Sequence, residues 1–253
     1  MIGDSRTEIL GKIRRGLASR HAGALEHPPF GPGSRSLFES DYQFTSSVEK
    51  FKDEMESVSG EVTLCSTGQE VAATVRKIIE TSGFSRIAIS SHEVCRLLKL
   101  REVLSEQLPT VEFVEERIDP EDRHQRQRLT QLLARVDLSI TGAEFLLADT
   151  GSLVTLSGSS SSRQISLLPQ AHLVIATADQ VYPTLAALVD HLFQTHGPDL
   201  PWSAMTLITG PSRTADIEKV LIKGVHGPNR LLTVILNGAL NAVPPLSSST
   251  SQL

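Results

Sequence analysis

"EVTLCSTGQEVAATVRKIIETSGFSRIAIS", Glu61 to Ser90, decides the fold class. "EVTLCS" reads as a strand, "GQEVAATVRKIIETSG" as a helix closed by Gly83, and "RIAIS" as the next strand. The alternation then repeats. "HEVCRLLKLREVLSEQL" is helical, "TVEFVEE" is a third strand, and "RHQRQRLTQLLARV" is a third helix. Strands alternating with helices of this length build βαβ units around an open, mainly parallel α/β sheet. Such crossovers are right-handed and lay helices on both faces of the sheet.

Further on, "DLSITGAEFLLADTGSLVTLSG" carries apolar runs broken by Gly142 and by "ADTGS", with no room for a crossover helix, so it reads as strands joined by tight turns. "HLVIATA" is a strand, "YPTLAALVDHLFQTHG" a helix ending at Gly197, and "LLTVIL" the last strand. Toward the N-terminus, Ile9, Leu10, Ile13 and Leu17 fall at helical spacing, and His21 to Ser36 is a Gly/Pro-rich linker. A second amphipathic helix places Val48, Phe51, Met55 and Val58 on one stripe. The expected organisation is an N-terminal helical arm and linker over residues 1–59, an α/β domain over 60–240, and a disordered polar tail over 241–253.

Composition narrows the function. The chain has 253 residues, 40% hydrophobic and 21% charged, which suits one sizeable core. A net charge of −5 and 4% aromatics give no support to a nucleic-acid surface. Cys65 and Cys95 are too few for an iron–sulfur cluster and read as buried small hydrophobes in a reducing, cytoplasmic compartment. No apolar run approaches the roughly 20 residues of a membrane span, and the N-terminus lacks a signal-peptide core. Metal-ligand spacings, G-x-S-x-G, G-x-G-x-x-G and the P-loop are all absent from the sequence.

Open α/β sheets bind ligands at glycine-rich turns on strand ends. Three such places stand out. In "LADTGSL", Asp149 and Thr150 precede Gly151 and Ser152, so backbone amides and a carboxylate share one space; the alternative is a self-bonded turn. Arg163 comes after a run of serines and is a candidate clamp for an anion, or else a solvated arginine. In "ITGPSRTADIEKVLIKGVHGP", Ile208 to Pro228, polar residues crowd between two apolar runs. Gly210 turns the chain, Ser212 caps the next element, and Arg213 stands beside the turn amides as an anion site that Asp216 can hold rigid. His226, next to Gly227, is the candidate proton carrier, with Asp149 as a second catalytic candidate. A structural salt bridge and a backbone-bonded turn histidine are the plainer readings of the same residues.

Taken in order, "TGAEFLLADTGSLV", "SRQISLLPQAHLVI" and "ITGPSRTADIEKVLIKGVHGP" closely resemble the lactate-utilisation protein C family, carriers of the LUD domain. The resemblance runs from about Gly60 to Leu236. It implies a fold similar to the NagB, ribose-5-phosphate isomerase (RpiA) and CoA-transferase group. It also implies an accessory role in oxidising L-lactate to pyruvate, beside two partner proteins that hold the iron–sulfur clusters, with no cofactor on this chain. On that reading "LADTGS" and Arg163 form one wall of a pocket for a small carboxylate or phosphorylated ligand, and Ile208 to Pro228 forms the other. A stand-alone enzyme on a small phosphorylated or acyl substrate, and a non-catalytic scaffold, are the competing classes. The N-terminal helix is expected to serve association, with partners or with a second copy.

Overall fold

A computed structural model describes residues 44–115, 122–157, 163–197, 202–215, 221–223 and 227–238, with a few positions between 9 and 14. Side chains of 213–215 and 221–223 lie outside that description, as do all of Asp216, His226, the linker and the tail 241–253. The chain divides into two compact units, Met1–Asp41 and Tyr42–Leu253. Among the described residues, no helix is long and apolar enough to cross a membrane.

One boundary moves. The sequence assigns the second amphipathic helix to the arm, but α1 (Phe44–Ser57) belongs to the second unit. Its predicted stripe is the reason: Phe51 and Met55 are fully buried, against Leu146, Leu153 and Ile235. A helix with two such side chains stripped from water is part of the core and not a tether.

The main sheet holds six strands: β1 (Glu61–Cys65), β2 (Arg86–Ile89), β3 (Glu112–Glu115), β4 (Leu138–Gly142), β7 (Ala171–Thr177) and β12 (Arg230–Leu236). Their order across the sheet is β1-β12-β7-β4-β2-β3, every neighbouring pair parallel. Alternation sorts their side chains onto two faces. Ile87, Ile89, Ile140, Leu173, Ile175 and Val234 meet α2 (Gly68–Ser82), α3 (Glu93–Leu97) and α4 (Leu100–Gln107). On the other face, Ala88 meets α5 (Arg123–Leu133), while Val174, Ala176 and Ile235 meet α1 and a second sheet. The expected open parallel sheet with helices on both faces is observed.

The second sheet is built from the tight-turn segment. β5 (Phe145–Leu147), β6 (Ser152–Ser157), β8 (Val181–Tyr182) and β9 (Ala204–Ile208) stand in the order β8-β5-β6-β9, with β5–β6 and β6–β9 antiparallel. α6 (Leu185–His196) packs Leu188 and Leu192 onto Leu147 and Val154. β9 is a partly exposed strand at the end of this sheet. β10 (Arg213–Ala215) and β11 (Leu221–Lys223) form a two-stranded antiparallel ribbon. Ser212 therefore precedes a strand and caps no helix.

The helix expected over "HEVCRLLKLREVLSEQL" is broken between α3 and α4 by Lys99, whose φ is 47°. Leu98 and Leu100 are both fully buried. Two residues apart on one helix they would point in nearly opposite directions, and the break turns both inward. Cys65 and Cys95 are buried and form no disulfide, as their isolation suggests.

Candidate functional site

Because the six strands are parallel, the sheet has one edge where every strand starts and one where every strand ends. Asp149, Thr150, Gly151, Ser152, Gly210, Ser212 and Gly227 all lie toward the starting edge. There β6 and β9 bring two of the predicted turns together. The Ser152 hydroxyl bonds Thr209 Oγ1 at 2.7 Å and Thr150 Oγ1 at 2.8 Å, and Thr150 donates to Asp149 at 3.4 Å. The glycines in these turns face protein. Gly151, at φ 59°, lies where any Cβ would overlap the backbone nitrogen of Met55. A Cβ on Gly210, at φ 75°, would sit 2.7 Å from the Val58 carbonyl. Both turns thus cradle the last turn of α1, the segment that leads into β1. Ser212 donates its amide to Pro228 at 2.8 Å and lies against Gly227, two residues short of β12. Arg163 is exposed at the head of a 3₁₀ turn, Arg163–Ser166, whose Ile165 packs against α5.

The same edge is stitched by polar clamps. Arg230 forks onto Glu61 with two bonds of 2.9 Å and reaches Ser82 with a third. Asp137 accepts from the amides of Ser85 and Arg86 at 2.8 and 2.9 Å and from the Ser85 hydroxyl. Burial pushes the Asp137 carboxyl up, but those bonds outweigh it and hold the group below its ordinary value.

At the finishing edge the chain opens instead. A cleft of about 600 Å³ lies past the ends of β7 and β12, lined among others by His92, Val94, Thr177, Gln180, Leu236 and Asn237. Open α/β sheets bind ligands outside the carboxyl ends of their strands. His92 caps α3: its Nδ1 accepts from the Val94 amide at 3.3 Å, which leaves the ring proton on Nε2. Nε2 faces Glu144 Oε1 at 3.6 Å, with both side chains about a quarter exposed. Gly142 makes room for this ring, since a Cβ there would overlap Nδ1. The other Glu144 oxygen accepts from the Leu156 amide at 2.8 Å. Gln180 donates to the carbonyls of Ala143 and Glu144 and accepts from the Thr177 amide, tying the end of β7 to the turn after β4.

A second histidine lies inside the sheet. His172 on β7 is wholly buried, bonds Thr141 at 2.8 Å through Nε2, and leaves Nδ1 without a protein partner. Burial pushes its pKa down to about 4, so the ring is neutral at pH 7. Among the described residues no group of three or more His, Cys, Asp or Glu side chains is placed to hold a metal ion.

None of His92, Glu144 and Gln180 is a sequence-predicted site residue. "TGAE" and "SSHE" were available as signals, because a glycine between a buried strand and a carboxylate marks a close approach. The ring that approaches Gly142 lies fifty residues upstream, and no spacing rule reaches that far.

An all-parallel sheet with a smaller mixed sheet on one face and a cleft at its finishing edge defines an α/β protein of the open-sheet class. Residues 48–236 match the LUD domain, and the chain belongs to the LUD domain family. It is similar to Lactate utilization protein C of Halalkalibacterium halodurans, 35% identical over 123 residues, covering 48% of this chain and 53% of that protein. The protein of the same name from Exiguobacterium is 32% identical over 158 residues, covering 60% and 66%, and that from Bacillus subtilis 33% over 105, covering 41% and 43%. The matches thus span about half the length of these curated relatives. A crystal structure of a DUF162 family protein from Deinococcus radiodurans shares the fold, with a TM-score of 0.52 at 17% identity over 78% of this chain and 99% of that one.

Proposed function

We propose that this protein takes part in lactate utilisation, as an accessory chain in the oxidation of L-lactate to pyruvate. The observation that carries the reading is the LUD domain match together with relatives named for lactate utilisation. The electrons leave through partner proteins that hold iron–sulfur clusters, and this chain carries no cofactor of its own. That division of labour is consistent with two buried, separate cysteines. Arg163 and Arg213, at the head of a 3₁₀ turn and at the start of β10, supply the cations for a small anionic ligand. The cleft beside His92 favours a second reading, an enzyme in its own right.

The test is growth on L-lactate. Cells lacking this chain should fail to grow on lactate while growing on pyruvate, and the wild-type gene should restore growth. Arg213→Ala should restore it poorly, although the protein folds. Growth on lactate without the chain would overturn the reading. Normal rescue by Arg213→Ala would remove that arginine from the functional set. Capture of cluster-bearing proteins on the tagged chain separates the accessory role from the stand-alone enzyme.

A further inference from the structure

The outer strands of the two larger sheets are guarded unequally. Those positions are held by β1 and β3 in the main sheet and by β8 and β9 in the second. An open edge invites pairing with another chain, and charge, proline or shortness guards against it. β1 carries Glu61, fixed by Arg230. β3 reads Glu-Phe-Val-Glu. Its Glu112 amide bonds inward to Ser85, so the Phe113 carbonyl points outward, where Arg101 reaches it at 3.4 Å. β8 has two residues and is followed by Pro183. β9, Ala-Met-Thr-Leu-Ile, has five residues with no charge and no proline.

The free backbone groups of β9 follow from its inner neighbour. The Val154 carbonyl accepts from the Glu144 amide on the β5 side, so Leu153 and Thr155 turn their amides and carbonyls toward β9. Their partners there are Ile208 and Thr206. Met205 and Leu207 alternate with these, so their amides and carbonyls point outward, where no strand among the described residues pairs with them. The side chains of Met205 and Leu207 share one face of the strand, and Met205 packs with the α6 cluster. Leu207 and Phe193 of α6 are exposed. Between α6 and β9 runs a groove of about 320 Å³, lined among others by Val189, Phe193, Trp202 and Met205.

We infer that β9 pairs antiparallel with β9 of a second copy, about a two-fold axis beside Thr206, so that two second sheets become one. The strand is complementary to itself. With Thr206 opposite Thr206, Met205 falls opposite Leu207 of the copy, and the outward groups exchange about four main-chain hydrogen bonds. Charge also suits a copy. A chain of net charge −5 is repelled by its own kind, but β9 and the groove residues carry no charge, so like charges do not meet there. Strand, groove and the exposed face of α6 supply about half of the 20–30 residues a side in a standard interface. The pair should therefore come apart at about 10 μM. This surface does not depend on the lactate reading and asks nothing of the N-terminal helix.

Sedimentation velocity on the full chain, from about 1 to 200 μM, should show monomer giving way to dimer. Leu207→Lys puts a charge on each side of the axis and should raise the dissociation constant about 10-fold or more, with the urea melt unchanged. Leu64→Lys, on the exposed part of β1, should leave the dimer intact. Under mild oxidation with diamide, Thr206→Cys should form a covalent dimer, since facing residues at such a position lie about 4.5 Å apart. Thr63→Cys on β1 should not. A monomer across the whole range, or a dimer that folded Leu207→Lys leaves intact, would overturn the inference. Equal loss in Leu64→Lys would do the same. So would a monomer whose Met205 and Leu207 amides gain exchange protection only when another protein binds, the mark of a foreign strand on this edge. If Leu207→Lys is unfolded, the two cysteine variants decide alone: a cross-link at Thr206 and none at Thr63 supports the pairing, and any other result overturns it.

Discussion

The two edges of the parallel sheet are opposites. Where the strands start, the surface is closed by Arg230 on Glu61, by Asp137 on Ser85 and Arg86, and by two glycine turns pressed onto the end of α1. Where they end, a cleft opens beside His92, whose ring stands 3.6 Å from Glu144. The glycines differ in the same way. Gly151 and Gly210 admit backbone of the same chain, whereas Gly142 admits the side chain that lines the cleft. A glycine-rich turn therefore identifies a close approach without saying whether a ligand or a helix makes it.

The sharpest way to break this contrast is Gly151→Ala. The new methyl must displace the α1 backbone, and the residue must keep a positive φ. Overpacking and left-handed strain together should cost about 4 kcal/mol in a urea melt. Gly83→Ala is the control: φ is 67° there, but nothing lies within 4 Å of a Cβ, so about 1 kcal/mol is expected. Equal losses would show that Gly151 is not a packing contact.

Acid should open the sheet from within. His172 has a folded pKa of about 4, below the unfolded value of about 6.5. The unfolded chain therefore takes up a proton that the native chain refuses as pH falls through that window. Stability is fully present above pH ~6.5 and falls by about 3 kcal/mol on approach to pH ~4. Urea melts across this range check it, and His172→Gln should flatten the slope. Asp137 adds a further loss at lower pH: its folded value is depressed, so its contribution is present above the ordinary carboxylate range and disappears below it.

The clamp itself is a smaller term. Asp137→Ala leaves the Ser85 and Arg86 amides without their acceptor and should cost about 2 kcal/mol. The site at the other edge should stay unchanged, which the NMR signal of His92 can verify. Gly142→Ala should do the reverse. A side chain can swing away more cheaply than backbone can shift, so the cost should be about 1 kcal/mol. The His92 signal should move, and Val94 should lose its cap. A large stability loss with His92 unmoved would overturn the contrast between the edges.

The elements of the sheet were legible because each is a local pattern. The helical stripe over Val48, Phe51 and Met55 and the strand runs at "RIAIS" and "LLTVIL" all carry their period within one segment. Membership was harder: α1 reads as part of an arm because its partners, Leu146, Leu153 and Ile235, lie about a hundred residues or more further on. The candidate site was legible only in part. "LADTGS" and "ITGPS" do meet, through Ser152 and Thr209, and the glycine of each lies against the chain at the end of α1. His92 and Glu144 escaped notice, being single polar residues in separate segments.

By itself the sequence determined the class: periods of two and 3.6 in alternation leave a parallel sheet with helices as the compact way to bury both faces. It also determined the family resemblance, through three ordered motifs later matched by the LUD domain. Only the tertiary structure decided which edge of the sheet is closed and which is open. That depends on which group comes to rest against each glycine, the Met55 backbone at Gly151 and the His92 ring at Gly142, and long-range packing makes that choice where local propensity is silent.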